Sequence, residues 1–369
     1  MAADVFLWRL PGADGTELGP PDLRPGLDPL LAAAGPLGTA SGGGPAVLKV
    51  HVGPPGRPAA ILPIWAHAVA AAAGCPGATF TDTLSISTRG LDTAPALAAV
   101  AAAKGYPTEE TSAAAGGRFV VGDGPEAPAP LPAPPVPGGR LEGLELAGIL
   151  RGAGSLVVLN PVRAHPHLGV VGAVATLGLE LASRDTKLRL HVGIRPQVDT
   201  PLCAGCGSCL DVCLYDAIVI RAGRALIDHH LCTGCGECMG VCFMAGIAPE
   251  EAGGLARFQQ DVAETAVAAW LSAPAGRAGG RSALYLNFMI QLGGAATASK
   301  ARRRLPVAGI GILASRDPVA LDAASLSCLE AGVGVPLAEW TGYAQGPGDL
   351  LGRAEALGLG SREHRLREV

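Results

Sequence analysis

Cys203-Ala-Gly-Cys206-Gly-Ser-Cys209-Leu-Asp-Val-Cys213 is the stretch of this sequence that constrains its fold most strongly. A second copy, Cys232-Thr-Gly-Cys235-Gly-Glu-Cys238-Met-Gly-Val-Cys242, follows it at a constant offset of 29 residues. Both copies have the spacing C-x2-C-x2-C-x3-C, and their glycines and valines match as well. The segment is therefore an internal duplication.

The spacing of these cysteines predicts two [4Fe–4S] clusters. Three cysteines at i, i+3 and i+6 on a tight loop can reach three irons of one cubane, while the fourth starts a short helix and reaches the other cluster. We expect cluster I on Cys203, Cys206, Cys209 and Cys242, and cluster II on Cys232, Cys235, Cys238 and Cys213. Such crossed ligation lets about fifty residues fold around metal with little hydrophobic core. One-electron chemistry is the expected function.

Zinc sites and disulfides are the competing interpretations of the cysteines. Zinc ribbons use two C-x2-C pairs and need no third cysteine three residues later. Eight of the ten cysteines lie between Cys203 and Cys242, a clustering that favours metal over a disulfide framework. One departure from the bacterial ferredoxin pattern is that the proline after each fourth cysteine is replaced, by Leu214 and by Phe243.

Composition limits the class of protein. The 369 residues are 49% hydrophobic and 16% charged, with a net charge of −4 spread along the chain. This composition is globular and carries no signature of a nucleic-acid or membrane-surface partner. The first ten residues lack the basic and apolar regions of a secretory signal, and the apolar run from Ala66 to Gly74 is far shorter than the ~20 residues of a bilayer span. The sequence therefore predicts a cytoplasmic protein.

Strands and helices alternate on both sides of the cysteines, which predicts an α/β domain with a mostly parallel sheet, interrupted by a small α+β dicluster ferredoxin-like insertion. We assign residues 1–198 and 251–369 to the α/β domain and residues 199–250 to the insertion. The predicted strands are Val5–Leu10, Ala46–Val52, Ala78–Asp82, Arg118–Val121, Ser155–Leu159, Ala283–Met289 and Val307–Leu313. The predicted helices are Pro58–Ala73, Thr93–Lys104 with Asp92 as N-cap, Leu255–Ser272 and Pro318–Ala331. The proline-rich stretch from Gly122 to Gly139 is expected to be a surface loop.

The flanking segments resemble the DUF362 family of uncharacterised iron–sulfur-centre proteins. The resemblance rests on Leu48-Lys-Val-His-Val-Gly53, Phe80-Thr-Asp-Thr83 with Arg89-Gly90, residues 160–191, Tyr285-Leu-Asn-Phe288 and Gly309-Ile-Gly-Ile-Leu-Ala-Ser-Arg-Asp-Pro-Val-Ala320. It implies a double-cubane ferredoxin module inside an α/β domain. The chain departs from the family at Asn160-Pro-Val-Arg-Ala-His165, at Ala175-Thr176 and at residues 291–297, which lack polar or cysteine residues usual there.

Polar residues at the predicted strand ends are the candidates for a site outside the clusters, because open α/β sheets bind ligands there. The catalytic candidates are Lys49, His51, Asp82, His165, Arg316 and Asp317, with Lys49 and Arg316 as charge partners for an anion. The alternatives are that Asp317 caps the following helix, that Asp82 caps a turn and that His51 is an ordinary buried histidine.

Three further side chains carry a weaker signal. His165 and His167 would share a face of a strand and could form a metal pair, although no third ligand is evident. Lys187 and His191 would lie one helical turn apart just before the cysteines, where they could tune a cluster or simply form a solvated connector.

Two functions remain open at this point. The chain could be an electron carrier whose α/β domain docks a redox partner protein, or a reductase that feeds electrons to a small anionic substrate. A third interpretation gives the clusters a purely structural role. The departures from the family pattern in the α/β part favour the carrier.

Overall fold

The computed structural model describes residues 2–10, 23–38, 43–57, 60–112, 116–250, 253–273, 282–290, 309–334, 336–341 and 346–369. The strands are β1 (Ala3–Arg9), β2 (Ala46–Lys49), β3 (Thr79–Asp82), β4 (Arg118–Val121), β5 (Leu131–Pro132), β6 (Glu145–Leu146), β7 (Ser155–Pro161), β8 (Arg163–His165), β9 (Gly169–Val171), β10 (Pro196–Val198), β11 (Ile218–Arg221), β12 (Arg224–Ile227), β13 (Ile247–Pro249), β14 (Ala283–Met289), β15 (Gly311–Ser315) and β16 (His364–Glu368). The helices are α1 (Arg24–Ala34), α2 (Pro63–Ala72), α3 (Ala94–Ala103), α4 (Ala173–Ala175), α5 (Arg184–Leu190), α6 (Ser208–Val212), α7 (Glu237–Val241), α8 (Gly254–Ser272), α9 (Pro318–Val333), α10 (Leu337–Thr341) and α11 (Gly348–Ala356). A π-helical stretch, Thr176–Glu180, continues α4.

An eight-stranded mixed sheet forms the centre of the α/β part, in the order β16-β1-β15-β14-β7-β2-β3-β4. Five of its seven strand pairings are parallel, and only β15 runs against both of its neighbours. The prediction of a mixed α/β fold with a mostly parallel sheet is confirmed. The chain runs from β2 to β3 and β4 on one side and then crosses to β7 on the other side of β2, so the strand order reverses between β2 and β7.

Helices cover both faces of the sheet because successive strand residues point to opposite faces. Leu156 and Val158 of β7 belong to the core shared with α8, α9 and α11, whereas Val157 and Leu159 belong to the core shared with α1, α2 and α3. The sheet is therefore buried on both faces, which explains its nearly continuous apolar strands. None of the described helices is both long and apolar enough to cross a lipid bilayer.

The duplicated cysteine sequence gives a duplicated backbone. The short helices Ser208–Val212 and Glu237–Val241 start after Gly207 and Gly236, whose φ values are +82° and +81°. In each half a strand precedes the cysteine loop and another follows the helix. Strands of the first half pair with strands of the second, β10 with β13 and β11 with β12. The two halves therefore hold each other together through both small sheets.

The cysteine segment, residues 199–250, lies in the chain between two strands that are neighbours in the large sheet. Strand β7 precedes the segment, strand β14 follows it, and the two pair in parallel from Leu156 and Ala283 onward. The direct pairing means that the large sheet is continuous without the intervening cysteine segment.

Most predicted elements are found within a few residues, and the exceptions lie at their ends. Residues 58–59 of the predicted helix from Pro58, and residues 307–308 of the predicted strand from Val307, lie outside the described residues. Asp92 does not cap the helix Ala94–Ala103 as expected. Its carboxylate accepts a hydrogen bond from Gly90 N instead, and Thr93 occupies the N-cap position. The proline-rich stretch is mostly irregular, but its residues Leu131–Pro132 pair with Glu145–Leu146.

Candidate functional site

A cavity of about 890 Å³ lies between the carboxyl ends of β2, β3 and β7 and the cysteine segment. The α/β part contributes His51, Asp82, Arg163, His165, Glu180, Lys187 and His191 to its wall, with residues 83–88 closing one side. The cysteine segment contributes Ser208, Asp211, Val212, Cys235, Glu237, Val241 and Phe243. The cavity sits where the strand order reverses, the position at which open α/β sheets bind ligands.

The ammonium group of Lys49 lies behind this wall and has three oxygen partners. Lys49 follows Val47 on the face of β2 that packs toward the π-helical stretch, so its fully buried side chain reaches Glu180. Lys49 Nζ donates hydrogen bonds to Asp82 Oδ1 at 2.9 Å, Glu180 Oε2 at 2.8 Å and Val50 O at 2.7 Å. All three of its donors are used, so Lys49 is a fixed counter-ion and not a free anion-binding group.

Glu180 is the centre of the polar network at the cavity. Its carboxylate accepts hydrogen bonds from Lys49 and from Arg163 Nη2, the latter at 2.5 Å, and its Oε2 lies 3.5 Å from His51 Nδ1. Its side chain is 16% exposed and faces the cavity. Glu180 is the last residue of the π-helical stretch, a local distortion that is frequent at functional sites.

Burial and charge pairing set the protonation of this network. Burial alone would lower the pKa of Lys49, but the carboxylates of Asp82 and Glu180 outweigh that effect and raise it. Burial would raise the pKa of Glu180, but Lys49, Arg163 and His51 hold it well below its usual value. Lys49 and Glu180 are therefore both ionised at neutral pH and form a buried ion pair.

His51, Asp82 and Glu180 could in principle hold a cation, since one ligand atom of each lies within 4.8 Å of the others. The position between the two carboxylates is already taken by the Lys49 ammonium, which contacts both of them. We therefore interpret the trio as part of a polar network around a buried lysine and not as a metal site.

Lys187 and His191 are buried beside the cavity, with exposures of 6% and 5%. Lys187 Nζ donates to Thr83 Oγ1 and Leu84 O, both at 2.7 Å, and burial lowers its pKa. Burial also lowers the pKa of His191, to about 4. The alternative of a solvated connector is wrong, because the helix Arg184–Leu190 turns both side chains inward.

A row of histidines joins the cavity to the second cysteine loop. His167 is fully buried; its Nε2 lies 2.9 Å from Gly234 O, and its ring contacts those of His165, His191 and Phe258. Burial lowers the pKa of His167 to about 3, and burial with the neighbouring His167 holds that of His165 well below its usual value. His165 and His167 do not share a strand face, since β8 ends at His165 and His167 N donates to His165 Nδ1. The described geometry gives no metal pair at these two residues.

Burial and neighbouring thiolates act together on the two most buried cysteines. Burial raises the pKa of Cys209, and Cys206, Cys203 and Cys242 add to that rise. Burial raises the pKa of Cys238 as well, and Cys235, Cys232, Cys209 and Cys213 add to that rise. Thiols of both motifs therefore act on each of these two cysteines.

All ten cysteines, which lie among the described residues, are free thiols.

Arg316 and Asp317 lie away from the cavity, which corrects the prediction that they join Lys49. Strand β15 runs antiparallel to β14, so its carboxyl end lies at the opposite edge of the sheet. Arg316 donates to the carbonyl oxygens of Ala34, Gly35, Pro36 and Ala283. Asp317 caps the helix Pro318–Val333, the alternative interpretation of this residue.

Sequence reasoning placed Lys49, His51, Asp82 and His165 at one site and missed Glu180 and Arg163. Glu180 stands alone as a charge between Ala173 and Ala182, an otherwise apolar run, and a lone carboxylate in such a run is a usable signal. Arg163 lies in the segment that departs from the family pattern, where it supplies the partner of Glu180.

Comparison with known proteins supports the family assignment made from the sequence. The family model described as "Domain of unknown function (DUF362)" matches residues 47–327, which is more than half of the chain. Comparison with curated proteins found no match. Among solved structures, the chain is similar to the lactate racemase apoprotein from Thermoanaerobacterium thermosaccharolyticum, with 14% sequence identity and a TM-score of 0.34. That match covers 89% of this chain and 56% of the racemase, so the chain spans about half the length of that protein.

Proposed function

We propose that this chain, which belongs to the DUF362 family, is an iron–sulfur reductase that holds two [4Fe–4S] clusters in residues 199–250 and reduces a small organic molecule in the adjoining cavity. The observation that carries the proposal is that Cys235, a ligand predicted for cluster II, lines the same cavity as the Glu180 network. An electron donor and a polar network that includes His51 would then face one bound molecule.

The cysteine groups suit this cofactor. The charge of Cys242 acts on Cys209 of the first motif, and that of Cys213 acts on Cys232 and Cys238 of the second, which supports the crossed pattern. Glycines at φ +65° and +78°, Gly205 and Gly234, fold the two loops tightly enough for backbone to surround a cubane. The clusters, when bound, supply electrons one at a time at low potential.

The chain's own residues supply the proton chemistry. A two-electron reduction of an organic acceptor also takes up two protons, which come from solvent through a group on the cavity wall. His51 is positioned for that transfer, because it lines the cavity and its Nδ1 lies 3.5 Å from Glu180 Oε2. Glu180, which Lys49 and Arg163 hold ionised, is the fixed acceptor that orients the ring.

The charges around the cavity give no preference for an anionic substrate. Arg57, Arg163 and Lys187 face the four carboxylates Asp82, Glu180, Asp211 and Glu237. The earlier expectation of an anion rested on Lys49 and Arg316, of which the first is neutralised and the second is remote. A neutral or zwitterionic organic molecule suits these walls better.

The first experiment is anaerobic purification followed by iron, sulfide and spectroscopic analysis. We expect about eight irons per chain and a brown protein that bleaches with dithionite, as two cubanes require. A colourless protein that contains zinc would contradict the proposal.

The second experiment separates a reductase from a simple carrier. Dithionite-reduced protein is mixed with a panel of quinones, enoates and nitroarenes, and reoxidation is followed by absorbance. Thr88→Trp should fill part of the cavity and slow reoxidation by an active compound at least tenfold, whereas Thr111→Trp, on an exposed loop, should not. Equal rates in both variants, with intact clusters, would favour the electron carrier.

A further inference from the structure

We propose that the outward face of the hairpin β11–β12, beside the first cysteine loop, is the docking surface for a one-electron donor protein with an acidic face. The proposal rests on the clusters of the proposed function and adds where electrons enter. Docking requires no bond to form or break; the donor loses one electron and the iron–sulfur protein gains it.

The first observation is that the two halves of the duplication have different surroundings. Cys206 and Cys235 occupy equivalent positions 29 residues apart, yet Cys206 is exposed to solvent and Cys235 lines the cavity. Their neighbours differ in the same way: Gly205 lies against the backbone of Gly223, within the segment itself, while Gly234 lies against His191 of the α/β part. The second half faces the substrate cavity, and the first half is open to a partner.

The second observation is the composition of the hairpin face beside Cys206. Val219 and Leu226 form a cross-strand pair and are 44% and 49% exposed. The next pair on the same face is Arg221 with Arg224, both exposed. Two like charges directly opposite each other destabilise a hairpin, so the repulsion between the two arginines is not explained by the stability of the hairpin.

The hairpin face is coupled directly to the cysteine loop. Arg224 Nη1 donates a hydrogen bond to Cys203 O, and Ala225 N lies 3.4 Å from Cys203 Sγ. A protein bound to this face would therefore lie within one residue of a predicted cluster I ligand.

These features identify the kind of partner. An apolar centre with an arginine pair at its rim fits an acidic protein that exposes a small apolar patch around its own redox centre. Short-lived electron-transfer encounters use small interfaces of this kind, below about 1,200 Å² in total. A low-potential one-electron donor such as a plant-type [2Fe–2S] ferredoxin has this chemistry.

The test uses the intact anaerobic protein and reduced plant-type [2Fe–2S] ferredoxin as the probe. The bleaching rate at low ionic strength is compared for the original chain, Arg221→Glu, Arg221→Lys and the control Arg118→Glu, an exposed arginine on β4 of the large sheet. We expect Arg221→Glu to slow bleaching about fivefold or more and to weaken its salt dependence. Arg221→Lys and Arg118→Glu should stay within about twofold.

A small uncharged reductant, photoreduced deazariboflavin, distinguishes docking from damage to the clusters. Unchanged bleaching by this reductant together with slow bleaching by ferredoxin supports the docking surface. Equal ferredoxin rates in Arg221→Glu and Arg118→Glu would overturn it while leaving the proposed function standing. A protein without iron would instead overturn the proposed function itself, and the docking surface with it.

Discussion

The side chain of Lys49 is fully buried, and its ammonium group forms ion pairs with two carboxylates, those of Asp82 and Glu180. Lys49→Met would leave the buried Asp82 without its ion-pair partner and Glu180 with Arg163 as its remaining one. Removing one member of a buried ion pair costs about 3–5 kcal/mol, because the remaining charge is uncompensated. We expect the free energy of unfolding, measured by urea denaturation under anaerobic conditions, to fall by that amount.

The matched control for Lys49 is Arg362→Met, at the exposed ion pair of Arg362 with Glu355. Exposed pairs contribute about 0–1 kcal/mol, so this variant should lie close to the original chain. Similar stability of the Lys49 and Arg362 variants would mean that Asp82 and Glu180 become protonated or solvated at little cost.

His191 makes a pH-dependent contribution to stability. Its pKa is about 4 in the folded protein because of burial, against about 6.5 in an unfolded chain. The unfolded chain therefore binds the extra proton between these values, and the free energy of unfolding falls as the pH drops below about 6.5. From pH 7.5 to 5.5 the loss due to His191 should be about 1 kcal/mol.

The measurement compares the urea midpoints of the original chain and His191→Gln at the two pH values. The amide side chain of this variant cannot titrate, so the pH dependence should shrink, while His364→Gln at a partly exposed position on β16 should leave it unchanged. An undiminished pH dependence in His191→Gln would show that the His191 ring takes up its proton in the folded protein too.

At the scale of single elements, Asp317 fixes the start of the helix Pro318–Val333. Asp317 Oδ1 accepts hydrogen bonds from Val319 N and Ala320 N at 2.9 Å, and Oδ2 accepts one from Ser361 N at 2.9 Å. Asp317→Ala should lower the free energy of unfolding by about 1–2 kcal/mol, at the upper end for a lost cap. Asp92→Ala is the matched control, since Asp92 bonds only within a turn, and a larger effect there would contradict the capping assignment.

Strand pairing between the halves of the cysteine segment brings the two motifs together, and the motif spacing predicts that each fourth cysteine serves the other motif's cluster. Cys213→Ala should therefore damage the cluster of the second motif, and Cys242→Ala that of the first. Iron content should fall, and electron paramagnetic resonance should show a different surviving cluster in each variant. Loss of the first motif's cluster in Cys213→Ala would show that ligation is not crossed.

The sequence was sufficient to predict where the strands and helices lie in the chain but not in which direction each strand runs in the sheet. Periodicity located β4 and β14 to the residue and the helix Pro318–Val333 within two residues, since their apolar patterns report burial directly. The periodicity of apolar residues does not indicate the direction of a strand. We therefore expected β15 to bring Arg316 to the cavity, but β15 is antiparallel to β14 and places Arg316 at the opposite edge. Pairing partners are set by tertiary packing, which is why Glu180, about 130 residues from Lys49 in the chain, was missed.

At the scale of the whole molecule, the reversal of strand order and the cysteine segment together form one cavity. Because of this reversal, the connections that follow β2 and β7 run to opposite sides, and a crevice lies between them at the carboxyl ends of these two strands. The cysteine segment covers that crevice through contacts such as Thr233 Oγ1 to Ile86 O and Arg89 Nη2 to Leu214 O. The large sheet supplies the acid–base groups, and the segment supplies the thiols.

Removal of iron should destabilise the cysteine segment and leave the large sheet folded. The buried core of the cysteine segment is small and consists of Cys209, Ile218, Ala225, Cys238 and Ile247, two of which are predicted ligands. Much larger cores lie on both faces of the sheet, and β7 pairs with β14 without help from the segment. We expect a protein stripped with ferricyanide and a chelator to unfold within residues 199–250 and to keep the sheet.

Limited trypsin digestion measures this difference. Arg221 and Arg224 lie at the turn of the hairpin in the segment, so the stripped protein should be cut there at least tenfold faster than the iron-loaded protein. The two fragments should stay associated in gel filtration through the β7–β14 pairing, with the far-ultraviolet circular dichroism of the sheet retained. Arg118, exposed on β4, serves as an internal control whose cleavage should not depend on iron. Cleavage throughout the chain after iron removal would show that the metal holds the whole protein together and not only the segment, because the sheet would then have lost its protection as well.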